Sequence, residues 1–166
     1  MKEILFSYSA QYYDLTKLVD LSLNPLEIGR LCIDPKTKDP FLLLTAFKFL
    51  SSLISRNRKD FIFGCTSFVG ADNPEHIKSL CSIAKDQLAD TKFPIKKKSS
   101  SFLDVRKQLG YEKLKPAEVS LPPLLKFYLR LGGKVSDHAV VDRELDTLHV
   151  FTYVDLKANK LEFESD

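Results

Sequence analysis

The chain has 166 residues, 44% of them hydrophobic and 28% charged, enough apolar material for one sizeable core and too much for an intrinsically disordered chain. A net charge of +3 sets up no global field that calls for nucleic acid, and no apolar run free of charge approaches the ~20 residues of a membrane-spanning helix. With a start, Met1-Lys2-Glu3-Ile4, that lacks a signal-peptide pattern, the composition points to a cytoplasmic protein.

In chain order, the first informative segment is Leu26-Glu27-Ile28-Gly29-Arg30-Leu31-Cys32-Ile33-Asp34-Pro35. Its branched apolar residues suit a strand buried on both faces. Glu27 and Arg30 inside such a strand are costly unless they pair with each other or with a charged ligand. Asp39 is placed to cap a helix and Pro40 suits its first position. Phe41, Leu42, Leu44, Phe47, Leu50, Leu53 and Ile54 then recur at helical spacing up to about Asn57. Phe61 to Val69 reads as a second buried strand, with Gly64 marking a bulge or a close backbone approach. Asn73 as cap and Pro74 at the first position start a helix whose inner face is Ile77, Leu80, Cys81, Ala84 and Leu88. Strand, helix, strand, helix predicts an α/β fold with these two strands parallel.

From about Thr91 to Ser120 the pattern dissolves into a basic excursion containing Lys96-Lys97-Lys98 and Ser99-Ser100-Ser101. Leu121 to Gly133 restores order as a short helix, with prolines at its start and glycines past its end. Ala139 to Asp142 and Leu148 to Val154 predict an antiparallel hairpin joined through Arg143 to Thr147. No internal repeat is visible, so residues 1–166 are expected to form a single domain. Cys32, Cys65 and Cys81 lie in apolar surroundings without C-x-x-C spacing, so all three read as buried thiols, with neither a disulfide framework nor a zinc site.

Four blocks, in this order and spacing, carry a resemblance: Leu26 to Pro35; Phe63 to Phe68 with Asp72 to His76; Leu121 to Lys126 through Tyr128 to Gly133; and Ala139 to Glu144 ahead of Asp146-Thr147. The chain resembles the GNAT-fold L-ornithine N-alpha-acyltransferases of bacterial ornithine-lipid synthesis, often labelled hemolysin-like. That resemblance implies a mixed sheet flanked by helices. It implies an enzyme that transfers a 3-hydroxyacyl group from acyl carrier protein to the alpha-amine of ornithine, giving lyso-ornithine lipid. Family members begin with a further segment before the central strand, so about the first third of the usual domain is expected to be absent from this N-terminally incomplete version. A related enzyme class, acyl-homoserine-lactone synthesis, shares fold and donor; a catalytically silent remnant or a subunit needing a separate N-terminal piece is the rival from another class.

Acyl transfer from a thioester to an amine needs a neutral amine, an oxyanion stabiliser and a placed thioester. On the resemblance, Glu27 would remove the amine's proton and Arg30 would hold the substrate carboxylate through its planar fork. The competing reading is an ordinary structural ion pair at a sheet end. The backbone amides around Leu31, Cys32 and Ile33 would face the thioester carbonyl. Asp142, Arg143 and Glu144 would contribute a carboxylate partner for the ornithine side-chain ammonium, against the plain reading of a solvated turn. No cofactor is expected to reside on the chain; the phosphopantetheine arm arrives with the carrier protein. The turn Lys36-Thr37-Lys38-Asp39-Pro40 lacks the glycines that cradle a pyrophosphate, which fits a carrier-protein donor. Lys96, Lys97 and Lys98 read plainly as a solvated loop; the functional reading makes them the dock for the acidic carrier protein, or a peripheral contact to anionic headgroups of the inner membrane. His76 reads as a first-turn helix residue and His138 and His149 as strand residues, with no metal spacing. Ser67 lacks a G-x-S-x-G context for nucleophilic catalysis.

Overall fold

The computed structural model describes residues 2–21, 23–29, 31, 32, 34, 36, 37, 39, 41–108 and 121–159. Two 3₁₀ turns, Lys2–Phe6 and Ser9–Gln11, lead into strand β1 (Tyr13–Asp14) and helix α1 (Thr16–Val19). Then come β2 (Pro25–Glu27), α2 (Leu42–Arg56), β3 (Phe61–Val69), α3 (Pro74–Gln87), β4 (Lys96–Lys97) and β5 (Phe102–Asp104). Helices α4 (Val105–Gln108) and α5 (Pro123–Arg130) and the strands β6 (Lys134–Asp142) and β7 (Thr147–Asp155) complete the order.

Five strands form one mixed sheet in the order β2-β3-β7-β6-β5, and β1 pairs with β4 in a separate two-stranded ribbon. The mixed α/β architecture is the one the sequence predicts, including the parallel pairing of β2 with β3. Alternation along the strands divides the core into two layers. Phe61, Phe63 and Cys65 of β3, with Phe151 and Tyr153 of β7, point to one face, which is covered by the amino-terminal segment through Ile4, Ala10, Tyr13, Leu15 and Leu18. Residues of the opposite parity meet the helices: Phe68, Leu148 and Val150 pack with Leu80, Cys81 and Ala84 of α3 and Leu125 of α5, and Ile62 and Val154 with Ile54 of α2 and Phe127 and Tyr128 of α5.

Local chemistry sets several boundaries. The Asn73 side chain accepts from the Glu75 amide with Pro74 at the first helical position, the predicted start of α3. Asp39 accepts from the Phe41 amide at 2.8 Å just ahead of α2; Pro40 lies outside the described residues. Register between β6 and β7 shifts between Val135 and Ala139. Ser136 repairs that irregularity: its hydroxyl donates to the His138 carbonyl at 2.6 Å and accepts from the Phe151 amide at 3.2 Å.

Three expectations are corrected. The strand predicted over Leu26 to Pro35 ends, among the described residues, at Glu27; of the described residues that follow within that segment, only Ile28 is buried, and Leu31 and Cys32 are exposed. Cys32 is therefore not a buried thiol, although Cys65 and Cys81 are. The excursion after Thr91 is partly ordered into the sheet: Phe102–Asp104 pairs with Ala139 and its neighbours, and Lys96–Lys97 pairs with Tyr13–Asp14. Both pairings are long-range, which a periodicity reading over one short window does not register.

Candidate active site

Glu27 ends β2 opposite Phe63 of β3, so its side chain leaves the sheet on the face covered by the amino-terminal segment. There its carboxylate accepts from the Tyr8 amide at 2.9 Å on Oε2, and from the Ser9 amide and the Ser9 hydroxyl, each at 2.7 Å, on Oε1. It thus caps the 3₁₀ turn that Ser9 opens, where free amides favour an anion. The demand created by a half-buried carboxylate is met by backbone amides; Arg30, its predicted partner, lies outside the described residues, as does Ile33. Oε2 keeps a lone pair beyond these three bonds, so the carboxylate can still accept from a substrate amine.

Asp142 ends β6 on the same face and is only 7% exposed. Its Oδ1 accepts from the amides of Glu144 and Leu145 at 3.0 and 3.1 Å, fixing the hairpin turn, and its Oδ2 accepts from the Tyr12 hydroxyl at 3.3 Å. The Tyr8 hydroxyl donates to that of Tyr12 across 3.5 Å. Glu27 and Asp142, 115 residues apart in the chain, are therefore both held by the same amino-terminal segment, Glu27 by the Tyr8 and Ser9 amides and the Ser9 hydroxyl, and Asp142 by the Tyr12 hydroxyl. The bond from Tyr8, burial and the Asp142 charge push the Tyr12 phenol well up, so it stays a donor. Tyr8 and Tyr12 are the residues that sequence reading missed; their i, i+4 spacing was the available signal. Arg143 turns away to an exposed ion pair with Asp72, and Glu144 is exposed.

Beside Glu27 the sheet comes apart. The pairing of β2 with β3 ends at Glu27 and Phe63, and the Ile28 amide adds one last bond to the Phe63 carbonyl at 2.7 Å. A cleft of about 190 Å³ opens beyond it, lined by Leu31, Leu43, Cys65, Ser67 and the segment Pro122 to Leu124. It reaches from the carboxylate face, where Cys65 touches the Ser9 hydroxyl, to the helical face, where α2 and α5 contribute.

The candidate site is thus an open-ended parallel strand pair with Glu27 at its mouth and Asp142 on the same face of the sheet. An L-ornithine N(alpha)-acyltransferase from Brucella abortus is 31% identical over 148 residues, covering 87% of this chain and 52% of that protein. Proteins of the same description from Rhodobacter capsulatus and Rhizobium meliloti are 28% and 31% identical over 151 and 153 residues, covering 91% and 86% of this chain. The chain is a homologue of these acyltransferases. It spans about half the length of the curated relatives it matches, 58% and 49% of the latter two. No family model and no solved structure matches.

In this homologue the three lysines of the basic excursion are partly committed to the fold. The Lys97 ammonium pairs with Asp104 at 3.0 Å and sits 4.2 Å from the Phe102 ring centre, and that of Lys98 donates to the Ala10 carbonyl at 2.5 Å. Lys96 is exposed on β4. Among the described residues no cluster of His, Cys, Asp or Glu is arranged to hold a metal, and no helix is long and apolar enough to cross a membrane. His76 sits in the first turn of α3 against the Val69 carbonyl at 2.7 Å, and His138 and His149 lie in β6 and β7.

Burial, opposed by the Ser9 bond and reinforced by the Glu27 charge, pushes the Cys65 thiol up to about 12, so the sulfur lining the cleft is not a nucleophile. Iodoacetamide should accordingly modify Cys32 alone in the native protein, and Cys65 and Cys81 only after denaturation. Peptide mapping by mass spectrometry reads this; native labelling at Cys65 would contradict its assignment as an inert wall residue.

Proposed function

We propose that this chain carries out the N-acyl transfer of its relatives: a 3-hydroxyacyl group moves from the phosphopantetheine arm of acyl carrier protein to the alpha-amine of ornithine. The observation that carries the reading is the end of the β2–β3 pairing immediately beyond Glu27, on the sheet face that also carries Asp142. The narrow cleft suits an extended thioester arm, and the acidic face suits an acceptor with two ammonium groups. The names of the relatives supply ornithine as the acceptor.

In this reading Glu27 takes the proton of the alpha-ammonium, directly or through water. The freed amine attacks the thioester carbon, the tetrahedral oxyanion rests on amides of the Leu31-Cys32-Ile33 segment, and collapse breaks the C–S bond. The pantetheine thiolate leaves and recovers a proton, and the new amide is lyso-ornithine lipid. Arg30 is assigned the ornithine carboxylate and Asp142 its side-chain ammonium. Arg143 and Glu144 stand at the rim of the turn. Lys96, with Lys97 and Lys98 behind it, is assigned to the acidic carrier protein.

Asp142 gives the direct test. Asp142→Asn keeps an acceptor for the turn amides and removes the charge. It should raise the KM for ornithine by about 10- to 100-fold, the loss expected for an unmatched ammonium, while the KM for acyl carrier protein stays unchanged. An unaltered ornithine KM would remove Asp142 from the acceptor pocket.

A further inference from the structure

The end of β2 is held open by a residue 100 positions later in the chain. In a parallel ladder, a strand residue whose amide donates to one partner accepts, through its carbonyl, from the amide two positions further along that partner. The Ile28 amide donates to the Phe63 carbonyl, so the Ile28 carbonyl belongs with the Cys65 amide. Instead it accepts from the Tyr128 hydroxyl of α5 at 2.8 Å. Gly64 makes this possible: a Cβ there would stand 2.0 Å from the Ile28 oxygen and 3.0 Å from the Tyr128 hydroxyl. Tyr128 is fully buried, and its phenol is pushed well above the usual range by that burial, so it remains a donor throughout the physiological range.

The consequence falls on β3. Phe63 directs its backbone groups towards β2, so by alternation Cys65 and Ser67 direct theirs the same way, while Thr66 faces β7. Among the described residues the Cys65 amide has no partner on that side, and Cys65 lines the cleft. We infer that Tyr128 is a positioning residue: its hydroxyl captures the Ile28 carbonyl over Gly64, keeps it from the Cys65 amide, and so reserves that edge of β3 for the donor thioester. The donor half of this inference rests on the function proposed above; the strand-wedge half does not.

Amide exchange on the full chain, followed by NMR, tests the wedge without any turnover. In the wild type the Cys65 amide should exchange about ten-fold or more faster than that of Thr66, the margin of one backbone hydrogen bond. In Tyr128→Phe, which keeps the ring and loses the hydroxyl, Ile28 falls back on the ladder and the Cys65 amide should slow by about ten-fold. Equal protection of Cys65 and Thr66 in the wild type overturns the wedge even if the variant does not fold, and so does unchanged Cys65 exchange in a folded variant. Titration with a 3-hydroxyacyl pantetheine thioester separates the two halves. Weaker binding to Tyr128→Phe by about ten-fold, one lost hydrogen bond's worth of positioning, supports the donor role. Equal binding to both proteins overturns that role, and no binding to the wild type overturns the proposed function while the exchange result still decides the wedge.

Discussion

Glu27→Ala should cost about 2–4 kcal/mol of stability and lower acyl transfer by about 100-fold or more, because the same carboxylate satisfies three donors and takes the substrate's proton. The two losses separate in Glu27→Gln. An amide keeps one oxygen for Ser9, whose amide and hydroxyl both donate to Oε1, but presents an NH₂ group to the Tyr8 amide. Part of the stability should return, whereas transfer should stay as low as in Glu27→Ala, since the neutral amide is no base. Urea midpoints and initial rates on the same preparations measure this. Wild-type turnover in Glu27→Gln would leave Glu27 as a cap for the Ser9–Gln11 turn and nothing more.

Acidification from pH 7 should destabilise the protein through its buried histidines. His149 is buried in β7 beneath Tyr12 and Tyr13. The Tyr13 hydroxyl donates to the His149 carbonyl at 2.9 Å, so at 3.2 Å from Nδ1 it accepts, and Nε2 is left as a buried lone pair without a partner among the described residues. Burial lowers the His149 pKa to about 4 against a partial upward pull from Asp142, and burial also lowers that of His138, whose Nδ1 meets Asp137 at 2.8 Å. The unfolded imidazole gains its proton near pH 6.5, above the folded value, so the unfolded state binds more protons between pH 6.5 and 4. Stability is complete above pH 6.5 and is lost as the pH falls towards 4, by about 3 kcal/mol for His149 alone. Asp14, Asp72 and Asp104 have lowered values and remain charged through that window. Urea unfolding at pH 7 and pH 4.5 reads it, and His149→Phe should remove more than half of the difference. A wild type equally stable at both pH values would show that the imidazole is solvated in the native state.

The α/β order, the bounds of β3, the start of α3 and the β6–β7 hairpin were legible in the sequence because each is decided within a few residues. An unbroken apolar run sets β3. A cap with its following proline sets α3. Two apolar runs around a short charged turn set the hairpin. Glu27 and Asp142 were legible as costly or clustered charges, and the structure places both on one face.

What the tertiary structure alone decided is where those charges find partners and where strand pairing stops. The apolar run after Glu27 carries every local mark of a continuing strand, yet it leaves the sheet because the Ile28 carbonyl finds a hydroxyl on α5 and a missing side chain at Gly64. Glu27 is held by Tyr8 and Ser9, Asp142 by Tyr12, and Lys98 by Ala10, all from an amino-terminal segment with weak periodicity of its own. Cys32 is exposed because, of the described residues between Ile28 and α2, none pairs with β3. A hydrogen bond needs only one donor and one acceptor brought within about 3 Å, and residues that far apart in sequence leave no shared period for a linear reading to detect.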